Sequence, residues 1–465
     1  MNDQSRGFID RTLRGFRRAW RLGGRDRVPE PGLPDGDAQR LRDKIDACLE
    51  ARGGDVSARA RAAELGEAYL ALNADGRRRF LAILAREYGV DKNAVDAAIA
   101  ERAAATRPVS RRIANAKLSR ALVSPRIRLL SQFNGLDQGV KFLVDLRAEL
   151  LRSAQTRPYL RPLDSELRQL LESWFDVGFL NLERITWETP ASLLEKLIAY
   201  EAVHRIRSWD DLKNRLEADR RCYAFFHPNM PGEPLIFVEV ALVTGISDNV
   251  QQLLDESAPA EDPDKADSAI FYSISNCQRG LAGISFGNFL IKQVADHIAR
   301  RLPNIRNFVT LSPVPGFRRW LEARLASPDA GILTAAEART LEAQAGAQSG
   351  DGGLKTLLAD PDCMTNEKTA SLLQPVLMRL CATYLTTARQ DSRAEDRVAH
   401  FHLSNGARIE RINWLADTSR RGIEQSFGMM VNYSYRLDQV ERNHEAYTGD
   451  GTVIAASAVR KLLKT

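Results

Sequence analysis

Histidine is absent before His204, and only six occur in 465 residues. Cysteine is as sparse: Cys48, Cys222, Cys277, Cys363 and Cys381 lie far apart, with no C-x-x-C pair. That scatter fits a reducing compartment and argues against a disulfide framework or a structural zinc site. No run of about 18 apolar residues occurs, so no segment reads as a membrane span. Beyond the N-terminus there is no long basic block, so nucleic acid is not implied as a partner. Neither G-x-G-x-x-G nor G-x-x-x-x-G-K-[ST] is present, which removes the dinucleotide and Walker readings. The G-x-S-x-G elbow of hydrolases is missing too. What remains is an ordinary globular composition, 27% charged and 44% hydrophobic, long enough for about two to four domains. The net charge of +6 is mild and suits an anionic small ligand.

The chain divides by composition. The first 28 residues hold eight arginines against three acidic residues, with Phe8, Leu13, Phe16 and Trp20 among them. A transit peptide and a frayed basic tail share this composition; Asp3, Asp10 and Asp26 favour the tail. With the Pro29–Gly36 linker it makes up residues 1–36. Residues 37–184 read as almost wholly helical. Leu41, Ile45 and Leu49 share a face, and Gly53 with Gly54 ends that helix. Ser57 caps the next, with Leu65, Tyr69 and Leu72; Phe80, Leu81, Leu84 and Tyr88 form a third stripe. Asp164 caps a later helix bearing Leu167, Leu170, Leu171 and Trp174. A bundle without catalytic residue types reads as a structural or oligomerisation module.

Residues 185–465 form the second domain, giving an α+β chain: an all-helical bundle followed by a mixed α/β domain. After a helix at Ser192–Tyr200, Arg221–His227 and Leu235–Val243 flank a Pro/Gly-rich turn and form a hairpin. The organising stretch is Ala269–Phe317. It reads as strand (Ala269–Ser275), glycine-punctuated loop, helix (Asn288–Leu302) and strand (Asn307–Ser312). A crossover helix between two strands implies that they are parallel. The loop then stands at a helix N-terminus, where backbone N–H groups hold an anion such as phosphate. Three glycines in eight residues read equally as a tight turn with close packing. The closest pattern is a stretched form of the pyrophosphate loop of GNAT acetyltransferases, with Gln278 and Arg279 leading and Gly283 and Gly287 following. Residues 317–389 are helical again and read as an insertion, interrupted by the flexible-looking Ala345–Gly353. Val398–Leu403, Ala407–Ile412 and Gly428–Tyr435 read as short strands, the first two joined by a Ser404–Gly406 turn.

Few side chains offer chemistry. On a strand, His400 and His402 face one side, which leaves open a metal pair, a single catalytic histidine, or ordinary strand histidines. No third ligand stands at metal-binding spacing. His227, His297 and His444 read as structural. Ser312 ends a strand just beyond the loop helix, where ligands of open α/β sheets bind, although Ser-Pro also opens turns.

Several motifs in order decide the reading. Ala269–Ser275, Thr310–Phe317, Phe401–Gly406 and Arg411–Asp417, with Gly232–Leu235 and Glu201–His204, resemble the malonyl-CoA decarboxylase family. The resemblance runs from about Ile185 to Tyr435, and the helical first half suits the family. It implies a helical oligomerisation domain, a GNAT-like catalytic domain, and conversion of malonyl-CoA to acetyl-CoA and carbon dioxide. It implies no metal and no organic cofactor, coenzyme A being part of the substrate. The family's catalytic serine falls on Ser312 and its catalytic histidine on His402, not His400. Its substrate loop falls on Ala282, Gly283, Ile284, Ser285, Phe286, Gly287 and Asn288, and a site tyrosine on Tyr435. One departure is Ser285, where animal members carry glutamate. The C-terminal Lys461–Thr465 is not the Ser-Lys-Leu peroxisomal signal, so a cytoplasmic bacterial enzyme is expected, with no membrane or nucleic-acid partner. A homo-oligomer, dimer or tetramer, is expected through the helical domain. The rival readings are a GNAT acyltransferase, which needs an amine acceptor, and a non-catalytic CoA-binding scaffold.

Overall fold

The computed structural model describes residues 29–50, 54–175, 177–284, 290–327, 331–345 and 352–464. The N-terminal tail through residue 28 lies outside them, as do Ser285–Asn288 and part of the Ala345–Gly353 stretch.

Apolar residues at helical spacing build the first half. Helix Asp35–Leu49 buries Leu41, Ile45 and Cys48, and helix Ala74–Glu87 buries Phe80, Leu81 and Leu84. Helix Gly139–Ala154 buries Phe142, Leu143, Leu146 and Leu150 against Leu163, Leu167 and Leu171 of helix Arg161–Trp174. Two expected caps differ. Ser57 lies inside helix Gly54–Ala71, and Asp164 sits in the first turn of its helix, where it accepts from Arg147 Nε at 2.9 Å. Charge pairing, not capping, fixes that carboxylate. The helical reading also ran too far, since Asn181–Ile185 is a strand.

That strand, β1, opens an eight-stranded sheet. β2 (Arg220–Phe226) and β3 (Pro234–Val243) form the expected hairpin, and β4 (Ser268–Asn276) pairs antiparallel with β3. Helix Leu290–Arg301 then crosses over to β5 (Asn307–Thr310), and β4 and β5 are parallel, Ser268 opposite Asn307 through Phe271 opposite Thr310. Beyond that point the two strands part. β4 runs on beside β3 alone, past a register shift between Glu239 and Val240, while the other strand continues as β6 (Ser312–Pro313). Such a bulge bends its strand and ends regular pairing. The sheet is completed by β7 (Arg408–Asn413) and β8 (Met430–Ser434); β8 pairs antiparallel with β5, β6 and β7.

Four helices between Phe317 and Thr387 form the insertion, the longest of them Glu367–Thr387. One continuous core joins the helical half, one sheet face and this insertion. A smaller core on the opposite face is covered by helices Ala191–Tyr200 and Trp209–Asn214. Among the described residues no helix is long and apolar enough to cross a membrane.

The largest departure from expectation lies at Val398–Leu403, which is not a strand. Arg397–Ser404 is an α-helix, capped by Asp396, whose Oδ1 accepts from Val398 N and Ala399 N at 2.9 and 3.0 Å. An N-cap carboxylate of this kind stabilises a helix by about 1 kcal/mol. Gly406, with φ +81°, ends the segment where a Cβ would collide with Val440 O.

Candidate active site

The helix at Arg397–Ser404 separates the two histidines, since residues two apart on a helix point to opposite sides. His400 Nδ1 lies 2.9 Å from the Tyr447 hydroxyl. His402 turns inward and is buried, so the two do not form a metal pair. His227, His297 and His444 lie elsewhere; His227 Nε2, for instance, meets Trp174 O at 3.0 Å.

Around His402 hydroxyl groups converge from β5, β6 and the residue just beyond β8. Its Nε2 is 2.9 Å from Ser312 Oγ, and its Nδ1 is 2.9 Å from the Tyr435 hydroxyl. Ser312 Oγ also meets Thr310 Oγ1 at 2.9 Å, because residues two apart on an extended strand share a face. Thr310 Oγ1 in turn accepts from Tyr433 N at 3.1 Å. The His402 ring stacks on Tyr433 with centroids 4.5 Å apart. Ser312, His402 and Tyr435 are all at least 95% buried, their exposures being 5%, 2% and 2%. Burial alone pushes the His402 pKa down to about 3, since among the described residues no carboxylate stands beside the ring to offset it. The imidazole is therefore neutral at pH 7. Each ring nitrogen faces a hydroxyl, which can accept from N–H or donate to a bare nitrogen.

The backbone beneath these hydroxyl groups is pinned by fully buried Asn432. Its Nδ2 donates to Thr310 O and Ser247 O at 2.8 and 3.1 Å, and its Oδ1 accepts from Asn413 Nδ2 and Arg411 Nε. All four hydrogen-bonding positions of the amide are thus occupied.

The substrate loop expected at Ala282–Asn288 is described through its first half. Gln278 Nε2 donates to Pro234 O at 2.9 Å, a 3-10 turn spans Arg279–Leu281, and Gly283 follows with φ +77°. Ala282, Gly283 and Ile284 stand beyond the carboxyl end of β4; Ser285, Phe286, Gly287 and Asn288 lie outside the described residues. The structure therefore brings Ser312, His402 and Tyr435 together. It adds Thr310, two residues before Ser312, and Tyr433 and Asn432, which open the N-Y-x-Y motif that places Tyr435.

Comparison with known proteins follows the same outline. A family model described as malonyl-CoA decarboxylase C-terminal domain matches residues 178–465, and one described as the N-terminal domain matches residues 88–175. The chain is 40% identical over 415 residues to mitochondrial malonyl-CoA decarboxylase of Anser anser anser, covering 86% of this chain and 82% of that one. It is 38% identical over 459 residues to the Rattus norvegicus protein of the same description, covering 94% and 90%. Among solved structures, malonyl-CoA decarboxylase from Rhodopseudomonas palustris is 43% identical, with a TM-score of 0.84 over 93% of this chain and 100% of that one. The protein of the same description from Agrobacterium vitis is 42% identical, with a TM-score of 0.82 over 91% and 99%.

Proposed function

The chain is an enzyme of the malonyl-CoA decarboxylase family, and on that premise we propose that it converts malonyl-CoA to acetyl-CoA and carbon dioxide through the Ser312–His402 pair. The observation that carries this reading is the 2.9 Å contact between Ser312 Oγ and His402 Nε2 in a water-poor site.

Decarboxylation breaks the bond between C2 and the carboxylate. Carbon dioxide leaves, and the electron pair moves into the thioester as an enolate. A proton must then reach C2. A carboxylate arriving beside the buried imidazole favours its charged form and offsets the desolvation that otherwise keeps it neutral. In the imidazolium, Nε2–H donates to Ser312 and Nδ1–H to Tyr435. Once carbon dioxide has gone, burial again disfavours the cation, so His402 gives up its proton through Ser312 to C2 and returns to the neutral state. Solvent supplies the next proton only when the carboxylate of the next substrate arrives. A positioned general acid of this kind contributes roughly 10²–10⁴-fold, and donors aimed at an enolate oxygen commonly add ~3–4 kcal/mol each.

The pyrophosphate of coenzyme A is assigned to backbone N–H groups of the Gly283–Asn288 loop, before the crossover helix, other than the Ile284 N–H, which donates to Leu281 O at 3.0 Å. No metal or organic cofactor enters the scheme, and turnover is expected to be unaffected by EDTA. Cytoplasmic location and self-association through residues 37–184 belong to the same proposal; cell fractionation checks the first. The decisive assay is purified protein with malonyl-CoA and no added amine. Acetyl-CoA formation separates a decarboxylase from an acyltransferase, which needs an acceptor, and from a scaffold, which binds without turnover.

A further inference from the structure

We propose that Arg147, in the helical half, is a positioning residue that sets the backbone of the coenzyme A loop. This rests on the pyrophosphate assignment made above.

Arg147 lies on helix Gly139–Ala154 and is 2% exposed. A guanidinium is almost never buried without partners, because desolvating its charge is costly unless donors are satisfied. Here Nε donates to Asp164 Oδ1 at 2.9 Å, while Nη1 donates to Gly280 O at 2.6 Å and to Ala282 O at 2.9 Å. The carboxylate holds the guanidinium from its own half of the molecule. The two carbonyls belong to the loop that follows β4. One side chain therefore ties the helical half to the loop, across more than 130 residues of sequence, the Arg147–Gly280 bond itself spanning 133.

A second observation shows the same docking. A Cβ at Gly280 would fall inside the van der Waals shell of Val144 O, one turn before Arg147 on the same helix. Only glycine lets the loop backbone lie this close. Loop and helix thus meet through a backbone contact at Gly280 and a charged clamp around it.

The clamp has a directional consequence. A peptide unit is planar and trans, so its C=O and N–H point to opposite sides. Fixing Ala282 O on Arg147 turns the Gly283 N–H away from the helical half. That N–H is the first of the donors assigned to the pyrophosphate. Ala282 N and Ile284 N hold the flanking backbone on Arg279 O and Leu281 O at 3.2 and 3.0 Å, but the Ala282 carbonyl itself rests on Arg147; without it the peptide plane loses its fixed direction, and the donor its aim. Arg147 makes no contact with the reacting atoms, so its loss acts on ligand binding and leaves the Ser312–His402 pair in place.

The test compares wild type, Arg147→Met and Arg147→Lys in the full-length protein, using calorimetric titration with acetyl-CoA and with acetyl-pantetheine, which lacks the pyrophosphate. Arg147→Met is expected to bind acetyl-CoA at least tenfold more weakly while acetyl-pantetheine binding stays within twofold. KM for malonyl-CoA should rise in step, with kcat within about threefold. Arg147→Lys keeps the charge and one donor direction and should recover part of the loss. Should Arg147→Met fail to fold, Asp164→Asn serves instead; it weakens the guanidinium's anchor and should give a smaller loss confined to acetyl-CoA. Equal loss for both ligands, or a fall in kcat with KM unchanged, overturns the proposal and leaves Arg147 a packing residue. Failure of wild type to decarboxylate malonyl-CoA, with acetyl-CoA still bound through Arg147, would overturn the catalytic reading and leave this one standing. A wild type that binds neither ligand overturns both.

Discussion

The Gly316 N–H donates to Asp396 Oδ2 across 3.1 Å. The other oxygen of the same carboxylate caps the helix that carries His402, through Val398 N and Ala399 N. One buried side chain therefore joins the loop that leaves Ser312 to the element that presents Ser312's partner. Burial raises the Asp396 pKa, and the three N–H donors counter it.

Asp396→Asn keeps one acceptor for the helix but sets an amide N–H₂ against Gly316 N–H. The expected result is a fall in kcat of about tenfold or more, since a misplacement on the order of 1 Å can cost about 10²-fold. KM should stay within about threefold. Asp396→Ala should also lose the cap, at about 1 kcal/mol, and melt at a lower temperature. Steady-state kinetics beside thermal unfolding separates the two effects, and an unchanged kcat in both variants would remove the positioning role.

Direct substitution of the pair is the harsher test. Ser312→Ala and His402→Asn should each lower kcat by roughly 10²-fold or more, and the double variant should be little worse than either. His400→Asn should retain most activity, because His400 faces Tyr447 and not Ser312. A dead His400→Asn beside an active His402→Asn would reverse the assignment.

The hairpin, the parallel β-α-β unit and the helical first half were legible because each follows from local periodicity and turn chemistry. Val398–Leu403 was not, since its apolar and histidine residues fit a short strand or a two-turn helix alike. The decision rests with Asp396, whose capping carboxylate favours the helix over the strand. Ser312, His402 and Tyr435 were placed through motif resemblance; spacing alone left His400 and His402 equivalent. Arg147 gave no signal, because its role exists only in contacts such as that with Gly280. A helix reading shows Arg147 as one charged residue among many, and nothing local distinguishes it.

Acid should weaken the fold through His402. Its folded pKa, about 3, lies below the ordinary value of 6.5 that the unfolded chain keeps. Between these values the unfolded chain binds the extra proton, so stability rises with pH across that window. The contribution is fully present above about pH 6.5 and falls away below it, by about 1.4 kcal/mol per pH unit. His204, pushed down to about 4 mainly by burial, adds a slope of the same sign. Comparing urea unfolding of wild type and His402→Gln between about pH 7 and 5 isolates the first term. Parallel stability curves for the two proteins would show that His402 does not titrate this way.

Self-association should run through the helical hairpin of Lys92–Ala104 and Pro108–Ala121. These two helices bury only Ala98 and Ala114, yet leave Ile99 50%, Val109 62% and Ile113 54% exposed. Leu122 and Val123, just beyond, are 55% and 48% exposed. Burying one such side chain is worth about 1.5–3 kcal/mol, and several exposed along two neighbouring helices mark an interaction surface. A second copy of the chain presents the same exposed apolar residues, so a two-fold arrangement covers both sets at once. The Ile99→Asp, Ile113→Asp double variant should fall to a smaller mass in light scattering at the concentration where wild type is a dimer or tetramer. Its kcat should stay within about twofold, as neither residue belongs to the Ser312–His402 site. Truncation is the poorer experiment, because the helical half and the sheet share one continuous core and removing one exposes the other. Should the double variant keep the wild-type mass, the hairpin is not the contact. Should wild type itself be monomeric, the proposal of self-association through residues 37–184 is wrong.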